Sequence, residues 1–77
     1  MKTEQRVIVV FPTTTDALHL EYVCRAEGVP GRMIPVPGSI KAGCGLAFSA
    51  PPETEQRLRT LAEANSIRVD GFYRRVL

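Results

Sequence analysis

Residues 6–28 read RVIVVFPTTTDALHLEYVCRAEG, and the organisation of the chain follows from how this stretch divides. Arg6-Val7-Ile8-Val9-Val10-Phe11 is an unbroken β-branched and aromatic run closed by Pro12. Such a run suits a strand buried on both faces or central in a sheet. Thr13-Thr14-Thr15-Asp16 follows, a cluster whose side-chain oxygens accept hydrogen bonds from the free N–H groups of a helix start. From about Asp16 to Glu27 the spacing predicts a helix. Ala17, Leu20, Val23 and Cys24 fall on one stripe, while His19, Arg25 and Glu27 point elsewhere. Gly28 stands where a left-handed residue ends a helix.

Downstream, Gly31-Arg32-Met33-Ile34-Pro35-Val36 is a second strand. Pro35 cannot donate to a sheet ladder, so this strand belongs at an edge. Pro37 to Gly43 is a loop rich in Pro, Gly and Ser, and Cys44-Gly45-Leu46-Ala47-Phe48-Ser49-Ala50 is a third strand of small and apolar residues. Pro51-Pro52-Glu53 opens a second helix that runs to about Asn65, with Leu58, Leu61 and Ala62 on its buried stripe. Ile67 to Val76 reads as a fourth strand, interrupted at Asp70-Gly71 by a turn or bulge signal. The order β-α-β-β-α-β, with right-handed crossovers, is the ferredoxin-like split sandwich. Two helices lie on one face of a four-stranded antiparallel sheet, strands one and three are central, and strands two and four are edges. One sheet face is then expected to be open, which invites a homodimer or a partner through that face or an edge strand.

The chain has 77 residues, 44% of them hydrophobic and 23% charged, with two cysteines, no tryptophan and a formal charge of +2. Residues 1–77 make one small domain, and folding at this size buries only about 60% of the surface of the unfolded chain. A stand-alone enzyme with an enclosed pocket is not expected. The charge is too small and too dispersed to indicate nucleic acid, with Arg74-Arg75 the one pair near the C-terminus. The run Val7 to Phe11 is too short for a signal sequence or a membrane span, so a cytoplasmic setting with reduced thiols is expected.

Topology makes a prediction about Cys44. The start of strand three lies beside the end of strand one, which places Cys44 near Pro12, Thr13 and Thr14 and the N-terminus of the first helix. A helix N-terminus favours a thiolate. Gly43 and Gly45 remove bulk on either side of the sulfur, and Lys41 is close enough in sequence to add positive charge. Two readings stay open: a carrier or nucleophilic thiol, or a small apolar residue at a strand start, the commoner fate of a free cysteine. Cys24, on the buried stripe, reads as core.

Other chemistry is poorly represented. His19 is the sole histidine and no Cys-x-x-Cys occurs, so no metal site is expected. No phosphate-binding or dinucleotide fingerprint is present, and no cofactor is expected. Asp16, Glu21, Glu53 and Glu55 show no pairing that marks acid/base catalysis. The RNA-recognition module shares this topology and stacks bases on aromatics of its central strands. Phe11 and Phe48 lie in those strands, but CGLAFSA lacks the basic-glycine-aromatic signature, and core packing explains both rings better.

Beyond these local signals, the sequence resembles a bacterial family of small proteins described as selenium/sulfur carrier-like. The features that carry the resemblance are Phe11-Pro12-Thr13-Thr14, Ala17 and Glu21, Gly28-Val29, Ile34-Pro35-Val36-Pro37, Cys44-Gly45-Leu46-Ala47 and Gly71-Phe72-Tyr73-Arg74. The resemblance implies that Cys44 holds a persulfide or selenium adduct, passed between donor and acceptor proteins. It also implies an aliphatic core residue at the place of Cys24. Gly38 stands where a basic residue is expected from the resemblance, and Lys41-Ala42-Gly43 replaces a more serine-rich approach to the cysteine. The rival reading is a small regulatory or protein-interaction domain in which Cys44 is structural.

Overall fold

A computed structural model of the chain describes residues 4–41 and 43–77. The β-branched run forms β1 (Gln5–Val10) and the capped stretch forms α1 (Thr14–Glu27). Then come β2 (Arg32–Pro35), β3 (Leu46–Ala50), a single 3₁₀ turn (Pro52–Thr54), α2 (Glu55–Ala64) and β4 (Gly71–Val76). The sheet order is β2-β3-β1-β4 with every pairing antiparallel, the ferredoxin-like arrangement. β2, with Pro35, and β4 are the edges.

α1 begins two residues earlier and β2 is one residue shorter at each end than in the sequence reading; three further boundaries differ for local reasons. β3 begins at Leu46 rather than Cys44, because Gly43 and Gly45 both take positive φ, at 86° and 98°, outside the extended region. The second helix opens as a 3₁₀ turn, in which the Thr54 N–H donates to the Pro51 carbonyl at 3.0 Å. β4 starts only at Gly71, since Ile67 belongs to the end of α2. There Ser66 adopts φ 56°, its N–H reaches the Glu63 carbonyl, and the Ile67 N–H reaches that of Ala62 at 2.8 Å. This is the Schellman closure, which sends Ile67 into the core. α1 ends in the same way, with Gly28 at φ 72° and the Val29 N–H bonded to the Cys24 carbonyl.

Both helices cover one face of the sheet, here called the front. Its core joins Val7, Val9 and Phe11 to Phe48 and Ala50, and to Ala17, Leu20 and Cys24 of α1 and Leu58 and Ala62 of α2. The buried stripe predicted for α1 is the one observed. Phe11 and Phe48 lie wholly inside this layer, so neither ring offers a stacking face.

The opposite face, the back, is not open as the topology alone suggested. Ile8 and Val10 are fully buried, together with Ala47, beneath Ile40. The β2–β3 connection folds across the sheet, and Ile40 serves as its apolar plug. A hydrogen bond from Arg75 Nε to Ser39 Oγ at 2.9 Å ties this loop to β4. Ile34, Val36 and Tyr73 pack around the plug. The apolar residues of the back face, Ile8, Val10 and Ala47, are thus covered from within the chain.

Candidate functional site

Cys44 is held at the end of β1. Its N–H donates to the Phe11 carbonyl at 2.9 Å, two residues before the helix cap Thr13. Gly43 makes this approach feasible. A Cβ at that position would lie 2.9 Å from the Phe11 carbonyl oxygen, a backbone atom that cannot swing away, and φ there is 86°. Gly45 faces open space, and its requirement for glycine comes from φ alone. The cysteine is thus carried by a loop with a left-handed residue on either side, and its thiol is half-buried against the front core. Among the described residues, Cys44 Sγ has one hydrogen-bond contact, the Leu46 carbonyl at 3.9 Å.

Thr13 and Thr14 stand where topology placed them, but Thr13 is already engaged. Its Oγ1 accepts from the Asp16 N–H at 3.1 Å and donates to Asp16 Oδ2 at 2.6 Å. Asp16 also accepts from the Arg68 N–H and pairs with its guanidinium. The Thr13 hydroxyl, followed by these Arg68 contacts, holds the Asp16 carboxyl below the usual carboxylate range. An ionised acid in the first turn offsets the positive end of the helix. Any support that α1 lends to a Cys44 thiolate is therefore shared with a carboxylate of the chain itself. Thr14 is the first helical residue and is exposed. Lys41 is exposed too, and Ala42, between it and the cysteine loop, lies outside the described residues.

Cys24 has the opposite surroundings. It is only 1% exposed between α1 and the sheet, and burial pushes its thiol up to about 11. Both thiols are free. No group of three His, Cys, Asp or Glu side chains that could hold a metal occurs among the described residues. No described helix is long and apolar enough to cross a membrane.

Residues 6–74 match the model of a family described as putative Se/S carrier protein-like. The chain belongs to this family. The match spans both helices and all of the sheet except the outermost residues of β1 and β4, and it includes the cysteine loop. No curated protein and no solved structure matches the chain. Reasoning from the sequence overlooked the covering of the back face by Ile40. One signal could have found it, an isolated isoleucine in an otherwise Pro-, Gly- and Ser-rich loop.

Proposed function

We propose that this Se/S carrier-like protein holds a sulfur or selenium atom on Cys44 for transfer between a donor and an acceptor protein. The observation that carries the reading is the contrast between the two thiols within a family of that description. Cys44 is partly exposed between two glycines, whereas Cys24 is sealed in the core and kept protonated. In the loading step the Cys44 thiolate attacks the outer sulfur of a donor persulfide. The donor S–S bond breaks, a new S–S bond forms on Cys44, and the donor leaves as a thiolate. In unloading, an acceptor thiolate attacks the outer sulfur and Cys44 leaves as its thiolate. No net oxidation occurs in either displacement, and selenium as the outer atom follows the same course. A reducing, cytoplasmic setting fits two free thiols.

The test is incubation with a small-molecule persulfide, followed by intact-mass measurement and peptide mapping. Wild type and Cys24→Ser are expected to gain one outer sulfur on Cys44 and to lose it to an added thiol acceptor, while Cys44→Ser gains none. A sulfur found equally on Cys24, or on neither, sinks the carrier reading.

A second reading is favoured by the packing of Cys44 against the front core. In it the residue fills space at the loop and the domain acts by binding alone. Cys44→Ser would then leave partner binding intact and lower only the melting temperature.

A further inference from the structure

The charges of this molecule are sorted by face. Arg25, Arg57, Arg59, Arg68 and Arg74 each pair with a carboxylate on the helical side of the molecule: Glu21, Glu27, Asp16 or the doubly used Glu55. Arg6, Arg32 and Arg75 have no such pair among the described residues, and all three emerge on the back. The register fixes this placement. Arg32 lies opposite Ser49 in β3, and Arg6 lies opposite Arg75 in β4. Each lies two residues from one that packs on the back core and so shares its face: Ile34, Ile8 and Tyr73 respectively. Glu4, exposed, is the one described carboxylate that the alternation of β1 places beside them.

Two like charges directly opposite on neighbouring strands oppose pairing, yet here each guanidinium is fixed by neutral acceptors. Arg6 donates from Nε to Ser49 Oγ at 3.0 Å and from Nη2 to the Ser49 carbonyl at 3.2 Å. Arg75 donates from Nε to Ser39 Oγ and from Nη1 to the Arg74 carbonyl, with its guanidinium 5.6 Å from the centre of the Tyr73 ring. A guanidinium carries five N–H donors, so both arginines retain donors that no described group accepts. They are ordered without being neutralised.

We propose that this diagonal set, Arg32 on one edge and the opposed pair Arg6 and Arg75 toward the other, docks an extended acidic segment of a partner protein across the back of the sheet. The spacing selects the occupant. Arg32 and Arg75 stand on the two edge strands, three strand spacings across and two residues out of register along them, or about 16 Å apart. That span is too wide for a single small oxyanion to bridge and matches about five residues of extended polypeptide. Arginine forks pair well with carboxylates. RNA finds no platform here: Tyr73 is the one aromatic on this face, its ring lies under the Arg75 guanidinium, and Phe11 and Phe48 are interior. A second copy would set arginine against arginine. The three arginines lie level with Arg6 and Ile8 of β1, whereas Cys44 is tied to Phe11 beyond its end, so the proposal stands apart from the thiol chemistry.

The test titrates ¹⁵N-labelled protein with an oligoglutamate peptide and, separately, with oligouridine. The peptide is expected to shift the amides of Ile8, Ser49 and Tyr73 and to bind less tightly as salt rises. Arg32→Gln/Arg75→Gln should weaken it by at least about tenfold, while Arg25→Gln/Arg57→Gln, with the same change in net charge, should cost less than about twofold. The shift map on unaltered protein locates the site whatever the variants do to stability. No binding, shifts confined to the helical layer, equal losses in the two variants, or tighter binding of oligouridine would each overturn the proposal.

Discussion

The front and back of the sheet are closed by unequal means. On the front, a 14-residue and a 10-residue helix seal a cluster of 13 buried residues among those described, and their arginines are matched by carboxylates. On the back, one loop residue, Ile40, completes a cluster of four, and the arginines beside it are unmatched. The difference separates two tasks. The front holds the fold together, and the back presents charge to the surroundings at little expense in buried area.

Substitutions should break this comparison unequally. Phe48→Ala removes a fully buried ring from the centre of the front and should cost about 4 kcal/mol. Chemical denaturation would measure this, and a loss below about 1 kcal/mol would show that the front is not the main source of stability. Ile40→Ala should cost less, about 2–3 kcal/mol, because the site is a surface loop able to collapse. Since the same loop positions Cys44, that variant should also be alkylated faster at Cys44. An unchanged alkylation rate would mean that plug and thiol move independently.

Alkaline pH sharpens the contrast from the front. Burial raises the Cys24 thiol from an ordinary value near 9 to about 11, so the folded state retains a proton that the unfolded chain releases. Stability from this group is complete below pH 9 and declines as pH climbs toward 11. The loss amounts to up to about 3 kcal/mol. Cys24→Ala should flatten that portion of the profile, and an unchanged slope would place the titration elsewhere. The smallest effect is expected for Ser39→Ala, which removes the acceptor of Arg75 Nε. An exposed bond of this kind contributes about 0.5 kcal/mol. Its signature is faster hydrogen exchange at the Ile40 amide, which donates to the Pro37 carbonyl at 2.9 Å, with global stability nearly unchanged.

The front was largely legible in the sequence because periodicity writes it there. The stripe Ala17, Leu20, Val23 and Cys24, the unbroken run from Val7 to Phe11 and the glycine at 28 each have one physical interpretation, and together they force the topology. The back was not legible. Ile40 has no periodic neighbours, and its burial depends on how the loop crosses a sheet whose register is a tertiary property. The sorting of arginines by face was hidden for the same reason. Of the candidate site, the approach of Cys44 to the end of β1 followed from strand order. The engagement of Thr13 by Asp16 did not, since several residues in Thr13-Thr14-Thr15-Asp16 could have capped the helix. The strand reading from Ile67 fails at Ser66, whose left-handed conformation turns Ile67 inward and is one that residue type rarely adopts.

The bond from the Cys44 amide to the Phe11 carbonyl bears on delivery. A thiol fixed by its own main chain to the central strand cannot travel the way a group on a swinging arm does. Under the carrier proposal, an atom on Cys44 would be offered at one place and along one direction, and a donor and an acceptor would each have to come to it by the same approach. The two partners would then have to take turns at one site instead of being bridged by a moving cysteine.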